Sequence, residues 1–302
     1  MEGTNMGKGI GGNQCLIVTP LKEDESVDEE STGKLIDYII DQGVHGVLAQ
    51  GSTGEGFLFD TDERKAFADL VVNRVRGRVP VGFCVESSST AVSVELSRHA
   101  KRAGADYLFT TAPYRHPHKG AGIFEHFKAI NDATDLPIAS YDGGAGVELG
   151  LDLLEKISNE LPRIKYCKVF LEKPEKIAQI QDRCKGRIIP WAGHDRLTYL
   201  MLCYGAYGMT SAASCIIPRE NSDMFDLAKA GNWEESRKIY LSKVCPLNAM
   251  AFYSVLDFIA AYKLALYWMG IIKTPTVRKP LVQLDSVMQR ELRGALRFIG
   301  KL

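Results

Sequence analysis

Lys168 lies in the run Ile164-Lys165-Tyr166-Cys167-Lys168-Val169-Phe170. Alternation puts Tyr166, Lys168 and Phe170 on one face and Lys165, Cys167 and Val169 on the other. A lysine that shares an interior face with aromatics is costly to keep charged. Burial lowers its pKa until the neutral amine can act as a nucleophile. A lysine snorkelling at a strand edge is the alternative, and it is the weaker one where a parallel strand is buried on both faces. Upstream, Gly51-Ser52-Thr53-Gly54-Glu55 places two hydroxyls between glycines. Such a turn can aim backbone N–H groups and side-chain donors at an anion such as a carboxylate, or it can be an ordinary turn. Tyr141 ends another apolar run, where a phenol is placed to pass protons. The Asp142-Gly143-Gly144-Ala145-Gly146 segment after it leaves room for a ligand or serves as a flexible connector.

These residues need elements to hold them. Strand-length apolar runs occur at Cys15–Thr19, Gly46–Gln50, Val79–Val85, Tyr107–Thr111, Ile138–Tyr141, Lys165–Phe170, Ile188–Ala192 and Gly208–Ala212. Between them fall amphipathic stretches such as Ser31–Gln42, Asp62–Arg76, Ala91–Ala103, Gly122–Ala133, Leu151–Glu160, Pro174–Cys184 and Leu197–Tyr204. Gly43, Gly104 and Gly205 each precede an apolar run, the pattern of a helix end feeding a strand. Eight β-then-α units predict an α/β fold, a (β/α)8 TIM barrel, over residues 15–232, after a loose tail over 1–14. An open doubly wound sheet is disfavoured because no Gly-x-Gly-x-x-Gly follows the first strand. From 233 to 302 the alternation stops, and helical runs at Trp233–Lys243, near Asn248–Trp268 and at Ser286–Phe298 predict a C-terminal helical appendage. In such a barrel the active site sits at the carboxyl ends of the strands, where Ser52, Tyr141 and Lys168 all fall.

The ordered set resembles the dihydrodipicolinate synthase and N-acetylneuraminate lyase family of class I aldolases. It comprises Gly51-Ser52-Thr53-Gly54-Glu55, the strand-end Tyr141 and Lys168 about 27 residues later. Val18-Thr19-Pro20, Ala112-Pro113-Tyr114, Ala192-Gly193-His194-Asp195 and Arg278-Lys279-Pro280 extend the likeness over the chain from about residue 14. The resemblance implies that Lys168 forms a Schiff base with the C2 carbonyl of pyruvate or a longer 2-keto acid. Tyr141 would be the general acid/base, Ser52 would relay protons to it, and Ser52 with Thr53 would hold the keto-acid carboxylate. Thr210 and Asp195 would complete the substrate-binding set. A protonated imine is itself an electron sink, so the chemistry asks for no metal and no cofactor.

The departures bear on substrate. Synthases that make dihydrodipicolinate carry an arginine about five residues after the strand-five tyrosine, to bind the second substrate's carboxylate; here that place is Gly146. Tyr-Asn-apolar-Pro becomes Tyr141-Asp142-Gly143-Gly144, and the tyrosine borrowed from a neighbouring subunit falls on Arg115 beside Tyr114. The expected function is therefore a Schiff-base lyase, aldolase or dehydratase, acting on pyruvate or a 2-keto-3-deoxy sugar acid. The alternatives are dihydrodipicolinate synthase with an altered second-substrate pocket, or a non-catalytic keto-acid-binding barrel. The resemblance also implies a homodimer or homotetramer. Among other residues, His116 and His118 read as a solvated loop, Asp195 either binds polyol hydroxyls or caps the helix starting near Leu197, His194 is undecided, and Glu55 serves turn geometry or a subunit contact.

Composition closes off other classes. With 37 basic and 37 acidic residues, the chain lacks the cationic excess that binding to nucleic acid or an anionic membrane draws on. The 45% apolar content suits a large core. Met1 to Cys15 holds no secretory apolar run, and Phe258 to Ile272 is interrupted by Lys263, so neither a signal peptide nor a membrane span is expected. Seven cysteines without a Cys-x-x-Cys pair suggest free thiols in a reducing cytoplasm, with no zinc site.

Overall fold

Short apolar runs, too brief for helices and bounded by turn residues, become strands in the computed structural model, which describes residues 10–116, 118–251 and 257–302. They are β1 (Gly12–Leu16), β2 (Gly46–Ala49), β3 (Val81–Cys84), β4 (Tyr107–Thr111), β5 (Ile138–Asp142), β6 (Ile164–Val169), β7 (Ile189–Ala192) and β8 (Gly208–Ser211). Each pairs in parallel with the next, and β8 pairs with β1, closing the expected (β/α)8 barrel. The intervening helices are α1 (Glu29–Asp41), α2 (Thr61–Val75), α3 (Thr90–Ala103), α4 (Gly120–Ala133), α5 (Leu151–Glu160), α6 (Lys176–Cys184), α7 (Thr198–Cys203) and α8 (Pro218–Lys229). Local chemistry sets their ends. Asp28 and Ser89 cap α1 and α3, and Asp60 with Glu63 forms a capping box on α2. The expected stops at Gly43, Gly104 and Gly205 all take the left-handed conformation.

The start of the barrel corrects one expectation. β1 begins at Gly12, three residues before the expected Cys15, so residues 10–14 belong to the barrel instead of a tail over 1–14. The reason is that the polar residues there are buried and paired. Asn13 Nδ2 donates to Ser222 Oγ at 3.0 Å, and Gln14 Oε1 accepts from the Tyr107 hydroxyl at 3.0 Å. Residues 1–9 lie outside the described residues. After α8 come α9 (Trp233–Ile239), a π turn at Tyr240–Val244, α10 (Cys245–Ala251), α11 (Asp257–Trp268) and α12 (Ser286–Ile299). The helical run expected near Asn248–Trp268 is present as parts of α10 and α11, while its residues 252–256 lie outside the described residues. No helix among the described residues is long and apolar enough to cross a membrane.

Two apolar layers fix the barrel. An outer layer fills the space between strands and helices, and an inner cluster includes Leu16, Leu48, Tyr107, Phe109, Tyr166 and Trp191. Trp191 packs on Tyr166 with ring centroids 4.6 Å apart and meets Tyr107 edge-on at 5.8 Å, plugging the barrel below the strands' carboxyl ends. β6 reaches this layer through an irregularity. Ile138 pairs with Ile164 but Ala139 pairs with Tyr166, which leaves the exposed Lys165 as an extra residue. The bulge resets the alternation: Ile164, Cys167 and Val169 pack outward in the helix layer, and Tyr166 and Lys168 point inward.

Candidate active site

The β5–β6 register sets Tyr141 directly beside Lys168, and the β4–β5 register sets Thr111 beside Tyr141. The Lys168 side chain rises between aromatic walls. Its Nζ lies 4.2 Å from the Tyr141 ring centroid and 5.6 Å from those of Phe109 and Phe170. It is 4% exposed, and no carboxylate among the described residues comes within ion-pair distance of it. Burial pushes the amine down to about 8, against the opposing pull of Asp195, Cys84 and Glu86. Gly193 makes room for the stem, because a Cβ there would overlap Lys168 Cγ and Cε. Burial pushes the Tyr141 phenol up, and the Glu86 and Asp195 charges act in the same direction, so it is held as a proton donor.

Above these two residues lies a cavity of about 830 Å³. Ser52 and Thr53 enter it from a 3-10 turn at Ser52–Gly54, whose first N–H groups have no intrahelical acceptor. Glu55, at the end of that turn, faces away from the chemistry. Its carboxylate is fully buried against Lys263 of α11 and accepts from the Arg278 backbone N–H at 2.6 Å. The Glu55 link therefore runs within the chain, from the β2 loop to the C-terminal helices. α11 also contributes Phe258 to the cavity wall.

Thr210 and Asp195 line the same space. Thr210 Oγ1, Thr111 Oγ1 and Asp195 Oδ1 are buried with no hydrogen-bond partner, which is costly unless a ligand or water supplies one. Asp195 Oδ2 accepts from Ala213 N–H at 3.3 Å. No side-chain cap hydrogen bond closes the start of α7, so of the two expected roles for Asp195, the helix cap is not the one adopted. Burial pushes its carboxyl up, against the hydrogen bond from Ser211. His194 also lines the cavity, stacked on Phe170 at 4.9 Å, and burial pushes its imidazole down. His116 and His118 are exposed and outside the cavity lining.

The departures also have structural consequences. Asp142 points outward to a buried ion pair with Lys176 of α6 at 2.7 Å and accepts from Leu149 N–H at 2.7 Å, which anchors the glycine-rich loop. Gly146 lines the cavity, with nothing within 4 Å of where a Cβ would stand. Arg115 is exposed, whereas Tyr114 lines the cavity. Sequence reasoning overlooked Glu86, Thr111 and Tyr114 as cavity residues. The available signal for Glu86 was an acidic residue directly after the apolar run ending at Val85, at a strand's carboxyl end. Among the described residues, no three His, Cys, Asp or Glu side chains converge as metal ligands.

Residues 10–299 match the model of the dihydrodipicolinate synthetase family. The chain is 34% identical over 298 residues to 4-hydroxy-tetrahydrodipicolinate synthase of Parabacteroides distasonis, covering 97% of each chain. Its fold superposes with a TM-score of 0.92, at 28% identity, on the chloride-inhibited dihydrodipicolinate synthase of Acinetobacter baumannii complexed with pyruvate, covering 97% of this chain and 100% of that one. A monomeric dihydrodipicolinate synthase variant superposes with a TM-score of 0.91 at 28% identity, covering 99% of this chain and 100% of that one.

Proposed function

Because this chain belongs to the dihydrodipicolinate synthetase family of class I, Schiff-base-forming lyases, we propose that Lys168 condenses with the C2 carbonyl of pyruvate or a 2-keto-3-deoxy sugar acid, as an aldolase or dehydratase. The observation that carries this reading is the juxtaposition of Lys168 and Tyr141 under a cavity edged by Ser52 and Thr53. The neutral amine attacks C2. One amine proton and the Tyr141 proton leave with the carbonyl oxygen as water, and the nitrogen keeps its second proton as an iminium cation. In the condensing direction the Tyr141 phenolate then takes a proton from C3 to give the enamine. In the cleaving direction the Tyr141 phenolate takes the C4 hydroxyl proton as the C3–C4 bond breaks, which releases an aldehyde and leaves the enamine, and Tyr141 then returns that proton to C3. The keto-acid carboxylate sits against Ser52 and Thr53, with Thr210 and Asp195 as the polar contacts of the remaining substrate. No hydrogen bond joins Ser52 Oγ to Tyr141 Oη among the described residues, so proton relay through Ser52 runs across a bridging water or the bound carboxylate.

Gly146 supports a second fragment other than the carboxylate-bearing semialdehyde, since nothing cationic stands at that position. The names of the relatives favour the second reading, condensation with aspartate semialdehyde in an altered pocket. We also place the protein in a reducing cytoplasm, as a homodimer or homotetramer. The test is borohydride reduction with pyruvate followed by intact-protein mass measurement. One reduced pyruvate adduct in the native chain, absent in Lys168→Ala, is the expected result. An adduct of equal yield in Lys168→Ala would remove the assignment. Turnover of aspartate semialdehyde at a rate above that of any 2-keto-3-deoxy acid would establish the second reading. An adduct without turnover of any keto acid would leave a binding barrel.

A further inference from the structure

We propose that Glu86 selects the second fragment of the substrate, accepting a hydroxyl of an uncharged fragment and repelling one that carries a carboxylate. This rests on the reading of Lys168 as the Schiff-base nucleophile.

Glu86 follows β3 at the carboxyl end of the barrel and lines the cavity with Lys168, Tyr141 and Tyr114. It is 6% exposed, yet its carboxylate makes no hydrogen bond or ion pair among the described residues. The nearby cation does not neutralise it directly. Arg64 of α2 spends its guanidinium on backbone, donating from Nη1 to the Glu86 carbonyl at 2.9 Å and from Nη2 to the Cys84 carbonyl at 2.7 Å. This anchors the backbone under Glu86 and leaves the carboxyl free to meet what enters the cavity. An unpartnered carboxyl at this depth is costly unless a ligand satisfies it.

The rest of the cavity narrows what that ligand can be. Asp195 follows β7, four strands from β3 in an eight-stranded ring, so the two carboxyls approach from opposite sides. Among the described lining residues Arg196 is exposed, which leaves Lys168 as the buried cation, and its nitrogen, bonded to C2, keeps that charge at the keto-acid end of the site. A second carboxylate placed between Glu86 and Asp195 would meet like charge in a poorly screened space. A hydroxyl can donate to either carboxyl at no charge cost. Burial pushes the Glu86 carboxyl up, against the pull of Arg64 and Lys168.

The experiment uses borohydride trapping, which requires imine formation but no turnover. The native chain and Glu86→Gln are each reduced with pyruvate, with 2-keto-3-deoxygluconate as a hydroxylated uncharged tail, and with 2-ketoglutarate as an anionic one. The deoxygluconate adduct is scored together with any pyruvate adduct formed from it by cleavage. In the native chain, trapping of 2-ketoglutarate is expected to fall at least tenfold below that of the hydroxylated acid. Glu86→Gln is expected to raise 2-ketoglutarate trapping, relative to pyruvate, at least tenfold. Glu86→Ala, which also deletes the charge, serves if the glutamine form is unstable. Native trapping of pyruvate with an unchanged ratio in the variant, or with neither longer acid trapped, overturns the role of Glu86 and leaves Lys168 in place. No pyruvate adduct in the native chain overturns the reading of Lys168 and this proposal with it.

Discussion

Lys168 sits where a folded chain would not choose to keep a charge. Its folded pKa of about 8 lies below the usual 10.5, so the unfolded chain binds that proton more tightly. The destabilisation is complete below pH 8, shrinks as pH rises from about 8 to 10.5, and vanishes above. A shift of this size corresponds to about 3 kcal/mol. Lys168→Met is thus expected to be more stable than the native chain by a few kcal/mol in urea melts at pH 7, with a smaller gap at pH 10, while losing the pyruvate adduct. An equal gap at both pH values would mean that folding does not shift the titration of the amine. The same shift predicts that the initial rate of adduct formation rises with pH and levels off above about 8. Gly193→Ala should cut trapping sharply in a folded chain, because its Cβ would displace the lysine stem. Lys168, Tyr141, Ser52 and Thr53 were legible because strand alternation and strand ends locate them. Glu86, Thr111 and Tyr114 were not read as cavity residues, since a lone acid or hydroxyl at or beyond a strand's end acquires meaning only when the barrel closes around it.

At the scale of elements, the 3-10 turn carrying Ser52 and Thr53 is held from behind by Glu55, Lys263 and Arg278. Burial pushes Lys263 down to about 8, against the pull of Glu55, and its Nζ also donates to the Thr276 carbonyl at 2.8 Å. Arg278 forks onto Glu63 at 2.7 and 2.8 Å, so α2, α11 and the segment after α11 meet behind the turn. Removing one partner leaves the other charge buried. Glu55→Ala is expected to lose about 3–5 kcal/mol in denaturant melts. Glu55→Gln with Lys263→Met should recover most of it. Failure of the pair to recover would show that the ion pair is not the source of the loss. The β6 bulge was also illegible. Plain alternation placed Lys168 on the aromatic face correctly, but only the pairing with β5 reveals that Lys165 is the residue expelled to solvent. β1 was misplaced for a similar reason, as the Gly-Asn-Gln stretch reads as tail until its buried partners are known.

The whole molecule is a barrel whose catalytic end is partly walled by its own C-terminal helices, through Phe258 of α11. On the outside, Leu200 of α7, Tyr204 just after it, Trp233 of α9 and Leu241 of the π turn are exposed. Tyr199 links them, stacking on Tyr240 at 5.5 Å and meeting Trp233 edge-on at 6.2 Å. Exposed apolar side chains gathered on neighbouring helices are what an association surface leaves when a subunit stands alone. Sedimentation velocity at micromolar concentration is expected to give a dimer or tetramer. Tyr204→Lys combined with Leu241→Lys should lower the mass by at least twofold while keeping the pyruvate adduct, since neither side chain lines the cavity. A native monomer would instead align the chain with its monomeric structural relative. Unchanged assembly in the double variant would move the interface off this face. Because Tyr240 donates to the Arg196 carbonyl at 2.5 Å, directly beside Asp195, a shift of the π turn on dissociation would reach the cavity rim. Reduced trapping of long keto acids, with pyruvate trapping kept, is the outcome that would tie assembly to the second-fragment end of the site.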